Sequence, residues 1–397
     1  MRDASPGQAG RRLRLAFLIL CCANLAAFSM TASQALLPLV MAWDGVSETL
    51  TGAALSASVV PVVLVGLLCG RYIARIGAAL VLVTGYVLAM LANLSLDLLP
   101  ATPASLFGMR IVHGVALGLV TPAALILGHY VASRLRGFTS LAIFTSTIPG
   151  AQMIGPPLGD WWLQTFGRTG YFLATSSLGV LALLLMGVFL LIQGRVPLPE
   201  RPGSNQSQSG GSYLPILRQP VFRTPLLAHI APALFWGYVL SFLTLMLQTR
   251  GLSLPAFYQA MTVAVIAVRI GIASRINTAA PRRSLVICLA GIMLALLALN
   301  LVDGLTGTLL AGFVFGASFG VMPPLLTFWV AGLANDDERP RAVALANTVF
   351  NGVTFLTAAL IAVALTLGGI ISVNLWFAII VGGGGIIILL LPRRRVT

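Results

Sequence analysis

Twelve stretches of this chain are each apolar for about twenty residues, the length of helix that crosses the hydrocarbon core of a bilayer. They fall at 15–39, 49–69, 77–96, 102–130, 137–162, 170–193, 222–248, 255–274, 284–302, 305–332, 342–367 and 371–391. They specify an all-α integral membrane protein with twelve transmembrane helices. Composition closes the alternatives. Of 397 residues, 58% are apolar and 9% charged, and mean hydropathy is +0.97. An average soluble domain is about 25% charged, and its exterior must carry that charge. A soluble enzyme, a disordered chain and a nucleic-acid-binding protein are excluded. The first run follows basic residues but lacks a small-residue cleavage site ahead of a soluble domain, so it reads as a retained helix rather than a cleaved signal.

The net charge of +14 comes from 24 basic residues, all arginine. Twenty of them fall at the N-terminus, in alternate gaps between runs and at the C-terminus, against two, Arg168 and Arg250, in the opposite gaps. By the positive-inside rule, both termini and the central gap are cytoplasmic. The remaining two, Arg110 and Arg269, lie inside apolar runs. Arg269 reads either as snorkelling toward the cytoplasm or as pairing with Asp336, Asp337 or Glu338. The four cysteines, Cys21, Cys22, Cys69 and Cys288, have neither metal-ligand nor disulfide-framework spacing and read as small packing residues.

The central gap contains PERPGSNQSQSGGS, a polar Gly/Ser/Pro-rich linker. It divides the chain into a six-helix block at 1–193, a cytoplasmic linker at 194–221 and a second six-helix block at 222–397. The blocks echo each other: GVALGLVTP at Gly114–Pro122 resembles GASFGVMPP at Gly316–Pro324, and RLRG from Arg134 resembles RPRA from Arg339. Two parallel six-helix halves are a transporter plan.

Two helices carry the chemistry. In the fourth, helical spacing puts Arg110, Gly114, Leu117, Gly118 and Thr121 on one face, with His113 one turn from the arginine. An arginine at this depth either snorkels to the interface or faces protein, water or an anion. The counterpart position near Gly312 carries no charge, which favours a cavity role. The fifth contains PGAQMIGPPLGDWW, with Gly150, Gly155 and Gly159 spaced for close helix approach and Pro156 and Pro157 favouring a bend.

RIVHG and GAQMIGPPLG resemble motifs of the major facilitator superfamily, and of its bacterial drug and metabolite exporters of the proton-antiporter type in particular. The helix-four motif is an arginine followed at i+4 by glycine, usually preceded by glutamine; here His113 takes the glutamine's place. The helix-five motif is Gly150, then Gly155 with Pro156, then Gly159, followed here by Asp160. The loop after helix two resembles a third motif through Gly66, Arg71 and Arg75, with Gly70 where the family has an aspartate that helps hold a closed interdomain contact. The resemblance implies two six-helix bundles of the major facilitator fold and a pathway lined by helices one, four, seven and ten. Here those offer Asn24, Phe28, Thr31 and Gln34; Arg110, His113 and Thr121; His229, Trp236 and Tyr238; and Phe315, Phe319 and Thr327.

None of the ten acidic residues sits at a helix midpoint. The titratable groups left for a coupling proton are His113, His129, His229 and Asp160, since histidine changes charge near neutral pH. Each also has a packing reading: His113 beside Arg110 as a hydrogen-bonded core residue, His129 at the interface. Four glycines at Gly382–Gly385 read as a packing or flexible stretch. With no phosphate-binding loop, metal cluster or nucleophile motif, the chain is expected not to be an enzyme, and to need no cofactor or metal. The expectation is a monomeric secondary-active exporter of small amphipathic drugs or metabolites, coupled to protons or another ion, in the bacterial inner membrane. An importer or uniporter for a sugar, organic acid or similar nutrient is the alternative.

Overall fold

The structure, a computed structural model, describes residues 6–100, 102–135, 138–193, 214–271, 281–335 and 338–390. Linker residues 194–213, Asp336, Asp337 and the side chain of Arg71 lie outside the described residues. The described residues form α1 (Pro6–Ser33), a 3₁₀ turn (Gln34–Leu36), α2 (Leu37–Trp43), α3 (Glu48–Ser56), α4 (Val59–Ile76), α5 (Ala78–Leu98), α6 (Pro103–Ser133), α7 (Phe138–Thr145) and α8 (Thr147–Gln193). There follow α9 (Leu214–Arg218), α10 (Pro220–Ala228), α11 (Ile230–Ser241), α12 (Leu243–Thr249), α13 (Leu254–Gly271), α14 (Pro281–Ala298), α15 (Gly304–Leu333), α16 (Arg339–Leu365) and α17 (Ile370–Leu390).

Among the described residues, ten stretches are long and apolar enough to cross a membrane, and a shorter apolar helix covers Leu254–Arg269. One stretch, Ile143–Gln193, holds two crossings, because α8 is interrupted at Gly167 with φ +69° and ψ −166°. A side chain there would be strained, so glycine allows the fifth and sixth helices to be joined without a longer loop. The chain is an all-helical, multi-pass membrane protein with about ten to twelve apolar helices, as its sequence predicts.

Several predicted helices are interrupted where a proline removes a hydrogen bond. Proline has no N–H for the carbonyl four residues earlier, and its ring crowds that carbonyl. Pro38 leaves Gln34, the start of the 3₁₀ turn; Pro61 leaves Ala57, between α3 and α4; Pro149 leaves Thr145, the end of α7; Pro232 leaves Ala228, the end of α10. Pro122, Pro156, Pro157, Pro323 and Pro324 sit inside helices that run on past them. The stretch expected as the loop after helix two is helical: Gly66, Gly70, Arg71 and Arg75 all belong to α4, and only Gly77 separates it from α5.

The chain divides into two compact units, one within Met1–Val40 and Ala57–Ser207, the other within Met41–Ser56 and Gln208–Thr397. In the first, Gly114 and Gly118 of α6 press on α4: a Cβ on Gly114 would lie 2.6 Å from the Ser58 carbonyl, and one on Gly118 3.0 Å from that of Val62. These glycines therefore serve packing between helices. In the second unit, Gly316 and Gly320 of α15 press on Met261 and Val265 of α13 in the same way. The sequence repeat is thus a repeat of packing. The second unit also takes in α3, whose Gly52 abuts Ala358 and Ala362 of α16, and whose Ser56 Oγ donates to Phe355 O at 2.9 Å and accepts from Ala359 N at 2.7 Å.

Asparagines join helices inside each unit. Asn93 Nδ2 of α5 donates to Thr175 Oγ1 and Ser176 Oγ of α8, both at 2.9 Å; Asn374 Nδ2 of α17 donates to Leu296 O of α14 at 2.8 Å. The two arginines that break the positive-inside pattern are each paired: Arg168 with Asp97 at 3.0 Å and Arg250 with Asp303 at 3.1 Å.

Candidate functional site

The start of α6 is fixed by a capping box, Ser105 N donating to Thr102 Oγ1 at 3.3 Å and Thr102 N to Ser105 Oγ at 3.1 Å. Arg110 follows eight residues later, about 12 Å along the axis. It does not snorkel. Its residue is 5% exposed, and Nη1 donates to Gln34 Oε1 at 2.6 Å. Its Nε is buried and unpartnered, and no carboxylate among the described residues pairs with it. One turn on, His113 is 2% exposed, and both of its ring nitrogens lack a hydrogen-bond partner among the described residues.

Gln34 reaches Arg110 from the 3₁₀ turn that Pro38 produces. There the Leu37 N–H bonds the Gln34 carbonyl, leaving Ser33 O without its usual helical partner. Buried carbonyls need a donor, and Tyr171 OH of the sixth helix supplies it at 2.8 Å. Helix five grips the same stretch from another side. A Cβ on Gly155 would lie 2.5 Å from Ser29 O and 3.0 Å from Ser33 N, and one on Gly159 3.1 Å from Ser33 Cβ. The arginine of helix four and the glycines of helix five thus meet on one bent turn of helix one. A Cβ on Gly150 would lie 3.3 Å from Leu25 Cδ1, and Pro156 is buried beside Gly155.

The other candidates are placed as follows. Asn24 is buried below this turn, its Nδ2 donating to Thr147 Oγ1 at 2.6 Å and its Oδ1 accepting from Tyr86 OH at 3.4 Å. Thr31 Oγ1 donates to Ala27 O of its own helix at 3.2 Å, and Thr121 is half-buried on α6. Asp160 is half-buried, with Gln164 Nε2 donating to it at 2.8 Å. Gly66 lies against Gly118, and Arg75 is exposed. In the second unit, His229 Nδ1 donates to Pro225 O at 2.7 Å, in its own preceding turn. Trp236 stacks on Phe319 with ring centres 4.8 Å apart and planes 11° from parallel, and Phe319 stacks on Phe315. Arg269 Nε donates to Gly320 O at 3.4 Å, and Glu338 accepts from Gln219 instead.

Sequence reasoning missed Tyr171, Thr147 and Tyr86, and also Ser29 and Gln152, whose Oγ and Oε1 are buried without partners among the described residues, in the helices that hold the bent turn. A polar side chain recurring in an apolar run was their only signal. No group of three or more candidate metal ligands occurs among the described residues.

The fold is that of known transporters. The nucleoside transporter NupG, in a point-mutant form, superposes with a TM-score of 0.77 at 13% identity, covering 94% of this chain and 99% of its own. A POT family transporter in complex with 5-aminolevulinic acid gives 0.72 at 16% identity, covering 98% and 96%. The human organic anion transporter MFSD10 (TETRAN) gives 0.62 at 15% identity, covering 95% and 99%. No curated protein matches the chain in sequence. Residues 19–306, well over half of the chain, match the family model of the Major Facilitator Superfamily, and the chain belongs to that superfamily of transporters.

Proposed function

We propose that this transporter exports small amphipathic compounds, neutral or anionic, by alternating access driven by inward proton flow. It works as a monomer in the bacterial inner membrane with both termini in the cytoplasm, the side that twenty arginines favour. The observation that carries the substrate reading is Arg110, a buried cation held by a neutral amide and lacking a carboxylate partner among the described residues. Such a charge is costly unless something anionic completes it. An anionic substrate group does so, and its arrival and departure bias the bent turn through Gln34.

The proton reading rests on His113 and Asp160. His113 lies one turn from Arg110 with both ring nitrogens unpartnered, placed to respond to a ligand bound there. The resemblance of Gly150, Gly155, Pro156 and Gly159 to the exporters' helix-five motif supports export, and Gly155 and Gly159 are the members that pack on the helix-one turn. One feature favours uniport or import instead: Gly70 stands exposed in α4 where the family's aspartate belongs.

Purified protein in liposomes tests both. Substrate-dependent proton counterflow supports antiport, and transport with no proton signal points to uniport or to another coupling ion.

A further inference from the structure

On the second unit, α10, α11, α14 and α17 enclose an apolar groove of about 180 Å³, lined by residues that include Leu227, Ala231, Leu289, Gly384, Gly385 and Leu389. An apolar cavity of about 150 Å³ is enough to hold a benzene molecule, so hydrocarbon fits here. A partner helix, about 10 Å across, does not. The groove follows α17 from Ile380 to Leu389, about 13 Å at 1.5 Å per residue. The glycine run of α17 carves it. A Cβ on Gly385 would lie 2.9 Å from both Ala231 Cβ and Leu289 Cδ1, so there the walls meet; a Cβ on Gly384 would meet nothing within 4 Å, so there the groove is open.

One end of this groove is basic. It is the end where α10 and α14 begin and α17 finishes, the side of the chain's central linker. Arg223, exposed on α10, stands one turn before Leu227 on the same face. Arg282, at the start of α14, donates from Nη1 to the carbonyl of Leu389 at 3.4 Å, and its guanidinium lies 5.9 Å from the Trp329 ring centre. A hydrocarbon slot ending at two guanidinium groups has the chemistry of one lipid type. We propose that it seats an acyl chain of an anionic glycerophospholipid, with the headgroup phosphate against Arg223 and Arg282. The side chains that line it are all apolar, which sets the groove apart from the Arg110 region.

The test is native mass spectrometry of the full chain in detergent, titrated with phosphatidylglycerol, phosphatidylcholine or palmitate. Phosphatidylglycerol is retained in preference to the other two. Gly384→Leu fills the open space and lowers phosphatidylglycerol retention tenfold or more, while Gly383→Leu, next to it but outside the lining, leaves retention unchanged. Arg223→Gln and Arg282→Gln each lower it about fivefold and leave phosphatidylcholine unaffected. Equal retention of the two phospholipids, wild-type retention by Gly384→Leu, or stronger binding of palmitate overturns the proposal. If Gly384→Leu does not accumulate, Gly384→Ala and Arg223→Gln decide it: wild-type retention by both overturns it.

Discussion

A guanidinium held by a neutral amide is an unfinished ion pair. Removing one partner of a buried charge pair costs about 2–5 kcal/mol of binding. Arg110→Ala is therefore expected to lower transport of an anionic substrate by about a hundredfold or more while leaving folded protein in the membrane, read as initial rate in vesicles against the amount of monodisperse protein. Wild-type rates would remove Arg110 from the pathway. Tyr171 has the opposite character: its hydroxyl serves the backbone. Tyr171→Phe leaves the Ser33 carbonyl unpartnered, a cost of about 1–3 kcal/mol, and a lowered Tm in detergent checks it. Arg110 was legible in the sequence because a charge inside an apolar run stands out. Tyr171 was not, because its role depends on how closely helix six approaches helix one, and a tyrosine in an apolar run has no such mark.

At the scale of helices, the apolar runs located the membrane crossings, and their length was enough. The breaks inside them were less legible. Pro38, Pro61, Pro149 and Pro232 interrupt their helices four residues upstream, whereas Pro122 and the Pro156–Pro157 and Pro323–Pro324 pairs do not. The residue type is the same in both sets, so the local pattern does not tell them apart. Pro38→Ala restores the missing N–H to the Gln34 carbonyl. It is expected to straighten helix one, raise Tm or leave it unchanged, and slow transport by withdrawing Gln34 from Arg110; unchanged transport with a raised Tm would mean that the bend plays no part. Gly155→Leu drives a side chain into Ser29 and Ala32 and is expected to block turnover. Normal turnover at normal expression would show that helices one and five need not stay in contact.

Across the whole molecule, the twofold repetition was legible as two short sequence echoes, and the physical content of the first is packing: Gly114 and Gly118 on α4, Gly316 and Gly320 on α13. The halves differ in their chemistry. The first carries Arg110 and His113, the second the stacked Trp236, Phe319 and Phe315. Arginine counting set the expected orientation, and the two arginines that depart from it are each partnered by an acid, Arg168 by Asp97 and Arg250 by Asp303. The second pair is exposed at its carboxylate, and exposed pairs contribute about 0–1 kcal/mol, so Asp303→Asn is expected to shift stability by no more than that, measured by thermal unfolding in detergent. Fold carries little information about cargo, and a residue such as Arg110 narrows the cargo only by charge.

The deciding measurement places purified wild-type protein and Arg110→Ala in liposomes with an imposed pH gradient. A panel of amphipathic anions, neutral compounds and cations is added while an internal dye reports proton movement. Anions and neutral compounds should elicit proton counterflow in wild-type vesicles, with the anion response lost in Arg110→Ala vesicles. Cation-driven counterflow that survives in Arg110→Ala, or substrate movement with no proton signal in either, would show that this arginine and a coupled proton are not how the transporter works.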